Sequence, residues 1–139
     1  MVSKIQNATK TIQIVSSIEN IPLVEQFVDE LYNEHQFSKE IYGNVLISLI
    51  ELANNAIIHG NKKDTTKTVT INAIVEDNTL ICQVKDEGSG FDFLNLPNPI
   101  AKENIEKPFG RGIFFVKHLS DQCHFFDNGS LVEVHFNLE

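Results

Sequence analysis

Glu51, Asn55 and His59 stand four residues apart in IELANNAIIHGN, residues 50–61, so on a helix their side chains stack along one face. A carboxylate and an amide oxygen are hard oxygen donors. Mg²⁺ held among substrate phosphates needs only one or two such protein ligands. Asn is a poor helix former, and the adjacent Asn54 and Asn55 lower the propensity of a segment that a solvated face would fill with Lys, Gln or Ala. A solvated face would still account for a Glu and an Asn taken alone. His59 at the helix end has an equally good structural role against the last carbonyls.

Two further clusters follow. In DEGSGF, Asp86, Gly88 and Gly90 close the apolar stretch LICQVK. A carboxylate at a strand end accepts a hydrogen bond from a ligand amine such as that of adenine, and glycines allow close backbone approach. Alone, the same pattern reads as a plain turn. In PFGRGIFFV, Gly110 and Gly112 flank Arg111 where helical spacing begins. Backbone N–H groups at a helix start form an anion site, and a triphosphate could dock there. The spacing fits neither a P-loop nor a dinucleotide fingerprint, so any nucleotide binds by another architecture.

The elements that must position these clusters can be read along the chain. KTIQIVS, residues 10–16, alternates as a strand with Ile12 and Ile14 on one face. Ser17 or Asn20 caps a helix whose Ile21, Val24, Phe27, Val28 and Leu31 recur at helical spacing to about His35. Ser38 opens a second helix with an apolar stripe of Ile41, Val45, Leu46, Leu49, Ile50, Ala53 and Ile57, and Gly60 stops it. Residues 67–76 and 79–86 form a hairpin through Asp77 and Asn78. Residues 87–111 hold glycines and prolines without sustained periodicity, and a loop that long in a compact domain is usually functional. Helical spacing resumes over 112–120, and QCHFF and SLVEVHF close the chain as strands around DNGS. Grouped strands and helices predict an α+β fold, a two-layer sandwich with a mixed, mostly antiparallel sheet and helices on one face.

With 139 residues and 42% hydrophobic content, the chain suits one domain spanning 1–139. A net charge of −8 argues against direct nucleic-acid or anionic-membrane binding. The N-terminus lacks an apolar signal region, and no uninterrupted apolar run reaches membrane-spanning length, so a cytoplasmic location is expected. Cys82 and Cys123 have no metal-ligand spacing and read as buried structural thiols.

Taken in order, the three clusters resemble the N, G1 and G2 boxes of the Bergerat or GHKL ATPase superfamily: Glu51 through His59, Asp86 through Gly90, and Gly110 through Gly112. The resemblance covers nearly the whole chain. A single domain of this kind is most similar to the anti-sigma-factor serine kinases of bacteria. That resemblance implies a histidine-kinase-like ATPase domain with an ATP lid at about 91–111. It implies that ATP and Mg²⁺ bind, with Asn55 ligating the metal and Asp86 bonding the adenine amine. Gly88, Gly90, Gly110 and Gly112 would shape the pocket and lid, with Arg111 near phosphates or the partner and His59 near the nucleotide. Glu51 matches the general base that activates a serine hydroxyl or water. Ser130 stands where relatives carry a hydroxyl near adenine. The implied partners are a sigma factor and an antagonist protein whose serine is phosphorylated, with regulation of transcription by partner switching. A homodimer is expected, with its surface or the partner's drawn from the first helix or from Ile5, Ile12 and Ile14. The alternative is a non-catalytic switch in which nucleotide orders residues 91–109 and selects a partner. A histidine-kinase catalytic domain ranks below both, since no dimerisation helix or phosphoacceptor box is apparent.

Overall fold

The computed structural model of the chain describes residues 10–89 and 111–139. β1 (Lys10–Val15) is followed by a 3₁₀ turn (Ile18–Asn20), which Ser17 caps by accepting from the Glu19 N–H. α1 (Ile21–His35) starts with Pro22 in its first turn, where proline's missing N–H and fixed φ do no harm. It ends at Gln36 in the left-handed conformation, φ 53°. α2 (Lys39–Asn55) is capped by the Ser38 hydroxyl, which accepts from the Ile41 N–H at 3.2 Å. The helix does not stop at Asn55 but widens into a π-helical turn, Ala56–Gly60.

β2 (Thr68–Glu76) and β3 (Thr79–Lys85) form the expected hairpin, with Asp77 and Asn78 at φ 50° and 60°. Two consecutive positive-φ residues match the right-handed strand twist, and Asp and Asn tolerate that conformation best after glycine. α3 (Arg111–Leu119), β4 (Gln122–Phe126) and β5 (Leu131–Asn137) complete the described chain.

The sheet has five strands in the order β1-β2-β3-β5-β4. A mixed, mostly antiparallel sheet was expected, and all four described pairings are antiparallel. The β3–β5 register sets Leu80 opposite Phe136, Cys82 opposite Val134 and Val84 opposite Val132. These residues pack with Val24, Phe27, Val28 and Leu31 of α1, Val45, Leu49 and Leu52 of α2, and Ile113 and Val116 of α3. Ile14 is buried in the same core, so it is not available as a docking residue; Ile5 lies outside the described residues.

The other face of β3 and β5 is also buried. Gln83 Nε2 donates to Glu133 Oε1 at 2.9 Å, and Glu133 Oε2 lies 2.9 Å from His135 Nε2. Cys82 is buried and Cys123 partly so, both as free thiols. Burial raises their pKa values, to about 12 and about 11 respectively. Lys39–Gly60 has the length and composition of a membrane span, yet its Val45, Leu49, Leu52 and Ile57 are core residues of this sandwich.

α2 offers an internal comparison of buried and exposed positions. Leu49→Ala should cost about 2–5 kcal/mol in urea unfolding, because Leu49 is fully buried. Ile47→Ala, at 49% exposure, should change stability by less than about 0.5 kcal/mol.

Candidate functional site

A cleft opens between the end of α2 and the sheet. Leu52, Ala56, Val84, Ile113 and Val132 make its apolar wall, and Asn55, His59 and Asp86 supply its polar groups. A largely apolar cleft with a few polar groups is the usual lining of a small-molecule site.

Asp86 follows β3 directly and is 8% exposed. Its backbone N–H donates to the Ser130 carbonyl at 2.9 Å, and Oδ1 accepts from the Gly88 N–H at 2.7 Å. Burial pushes the carboxyl above the usual aspartate range, opposed by the Gly88 N–H and the Lys67 charge. Gly60 lies so close that a methyl group on it would run into the carboxylate, and a methyl on Gly88 would strike the Gly60 carbonyl. The two backbones and the acid therefore form one packed unit, which explains glycine at both positions.

Asn61 holds this unit in place and was not singled out in the sequence, where NKKDTTK reads only as a polar loop. It is 1% exposed. Nδ2 donates to Ser16 Oγ at 2.8 Å and to the Thr68 carbonyl at 3.0 Å, while Oδ1 accepts from the Glu87 N–H at 2.7 Å. One amide thus ties the segment after β1 to the start of β2 and to the residue following Asp86. The only sequence signal was its place immediately after the helix-stopping Gly60.

The π-helical turn also departs from the expected ridge. Asn61 N–H donates to the Ala56 carbonyl at 2.8 Å, closing a ring one residue wider than in an α-helix. Asn55 and His59 both reach the cleft, whereas Glu51 does not line it. Partial desolvation shifts the exposed His59 toward the neutral imidazole. Asn55 Nδ2 is buried without a hydrogen-bond partner. Because amide O and N assignments can be exchanged, a half-turn places Oδ1 there as a hard oxygen donor, which fits a Mg²⁺ ligand.

Glu51 is half-buried, and its side chain lies along Gly112 in the first turn of α3. The Ser130 hydroxyl donates to the Asp127 carbonyl at 2.9 Å, so it serves its own turn, while Gly129 at φ 95° lines the cleft. Arg111 opens α3, but its side chain lies outside the described residues, as do Gly90, Gly110 and nearly all of the expected lid at 91–111.

The chain belongs to the histidine kinase-like ATPase domain family, whose model matches residues 14–136. Serine-protein kinase RsbW of Bacillus cereus strain AH187 is 24% identical over 115 residues, covering 78% of this chain and 71% of that protein. RsbW of Bacillus thuringiensis strain Al Hakam aligns with the same identity and coverage. The fold is also similar to the solved RsbU and RsbW domains of a Mycobacterium tuberculosis protein, with TM-score 0.61 and 14% identity. That match covers 92% of this chain, which spans about a third (32%) of the mycobacterial one. The histidine kinase domain of a blue-light activated kinase from Erythrobacter litoralis gives TM-score 0.54 at 16% identity, covering 96% of this chain and 65% of that one.

Two substitutions test this geometry without ligand. Asn61→Ala should destabilise the fold by about 2–4 kcal/mol in urea unfolding, since it leaves buried partners unpaired. Asp86→Asn should unfold at a higher temperature than wild type at pH 7, because it removes a buried charge whose folded-state pKa is raised. Wild-type stability falls as pH rises through that pKa, so the variant's advantage should vanish below the ordinary aspartate value of 3.8.

Proposed function

We propose that the chain binds Mg-ATP and acts as a serine protein kinase of the anti-sigma-factor type. The observation that carries this reading is the pairing, across one apolar cleft, of a buried Asp86 carboxylate with the unpartnered Asn55 amide. Asp86 would accept from an exocyclic amine, a role supported by its burial and by its close packing against Gly60. Asn55 would hold Mg²⁺, which when bound neutralises phosphate charge. Glu51, one turn before Asn55, would orient or deprotonate an acceptor hydroxyl. Arg111, Gly88, Gly90 and Gly110 would border the phosphates, with 91–111 acting as lid, Gly112 standing beside Glu51 and Ser130 supporting the adenine end through its backbone.

The acceptor in this reading is a serine of an antagonist protein, and the second partner is a sigma factor. The 24% identity to RsbW kinases supports that choice. Residues 1–139 would act as one domain, in a cytoplasmic homodimer. The second reading, a non-catalytic ATP-dependent switch, is favoured by one observation: Glu51 packs against Gly112 instead of lining the cleft.

Calorimetric titration of ATP with and without Mg²⁺ tests the site. Wild type should bind more tightly with magnesium, Asn55→Ala should lose that dependence, and Asp86→Asn should weaken binding by tenfold or more, on the order of 1–3 kcal/mol. Absence of binding by folded wild type would refute both readings. Glu51→Gln should keep ATP affinity within about threefold but lower phosphotransfer about 10²–10⁴-fold. Unchanged phosphotransfer would remove Glu51 from the mechanism, and none in wild type with intact ATP-dependent partner binding would favour the switch.

A further inference from the structure

α2 and α3 each carry a glycine inside regular helix, Gly43 and Gly112. Neither needs glycine for its backbone conformation, since among the described glycines only Gly129 has positive φ. A helical glycine is nevertheless about 0.5–1 kcal/mol worse than alanine, so each asks for a reason. Around Gly43 there is none in the packing: nothing lies within 4 Å of where a Cβ would stand.

Gly112 is different. A Cβ there would collide with Glu51 Oε2 and lie 3.2 Å from Glu51 Cδ and 3.3 Å from Glu51 Cβ. All three crowding atoms belong to one side chain, and none is backbone. The atom in hardest conflict is the far end of a flexible acid, which can swing away about its side-chain torsions. An added methyl would therefore displace the carboxylate while leaving the two helices docked through Ile113 and Val116, both buried in the core. The first turn of a helix has N–H groups without intrahelical partners and the positive end of the helix dipole, which favours a carboxylate there.

We propose that Gly112 is a positioning residue for Glu51: its bare Cα seats the carboxylate at the start of α3, and any larger residue moves the acid from its working place. The proposal rests on the reading of Glu51 as the group that acts on the acceptor. It assigns the cause of glycine at 112 to the acid rather than to close approach of phosphate. Those two causes make opposite statements about ATP affinity.

The experiment uses the full chain as wild type, Gly43→Ala, Gly112→Ala, Glu51→Asp, Glu51→Gln and the Gly112→Ala/Glu51→Asp double variant. Mg-ATP affinity is read by calorimetry, ATP turnover under saturating Mg-ATP, and the Glu51 carboxyl by its ¹³C NMR chemical shift at one pH. Gly112→Ala should keep affinity within about threefold, slow turnover tenfold or more, and move the Glu51 carboxyl ¹³C resonance, whereas Gly43→Ala changes none of these. Aspartate is one methylene shorter and lacks Oε2, the atom in hardest conflict, while its Cβ keeps the 3.3 Å contact, so the double variant should turn over no more slowly than Glu51→Asp alone. Loss of affinity equal to the loss of turnover, or multiplication of the two single effects in the double variant, overturns the proposal. If Glu51→Gln leaves turnover unchanged, the reading of Glu51 as the acting group falls. The ¹³C resonance then decides the contact alone, and an unaltered Glu51 carboxyl resonance in Gly112→Ala overturns it.

Discussion

The site depends on a single buried amide. Asn61 spends both Nδ2 bonds and one Oδ1 bond on three separate stretches of chain, and no other described residue joins those three. A neutral amide is suited to this because it donates and accepts at once, so it can join two accepting groups and one donating group without burying charge. From that knot the rest follows. The strand end at Asp86 is fixed, the π-helical turn closes over it, and Gly60 is pressed against the carboxylate it must accommodate.

Several of these features cost stability where they stand. Asp86 keeps a carboxylate largely out of water with one backbone N–H and a distant lysine as compensation. Asn55 Nδ2 is buried without a partner. The π-helical turn trades regular hydrogen-bond geometry for a wider helix end at the cleft mouth. Three such departures gather at the cleft, while α1 and the β2–β3 hairpin obey local rules, as a ligand site would produce.

Much of the fold was legible because periodicity reports burial. The alternation of β2 and the three- and four-residue spacing in α1 mapped directly onto buried faces. The Asp77–Asn78 turn was legible from residue type alone. The π-helical turn was not, because a one-residue widening leaves the apolar pattern of Ala56 and Ile57 intact. Neither was Asn61, whose role arises from chain segments far apart in sequence. The polar pair Glu133 and His135 was hidden for a related reason: alternation in β5 predicts which residues share a face but not that both faces are covered. For the site, residue types located Asp86 and Asn55, while the relation of Glu51 to Gly112 required the packing of two helices.

The two thiols lead somewhere quite different. A cysteine reacts as thiolate, and with a pKa of about 11 only about one in ten thousand Cys123 sulfurs is charged at pH 7, and Cys82 at about 12 still fewer. Cys82 is moreover sealed inside the sheet. Thiol-directed oxidants, disulfides and alkylating reagents thus find almost no thiolate at these two cysteines. A single cysteine introduced on the surface would carry a thiol-reactive fluorescent or spin label with little competition from either native thiol.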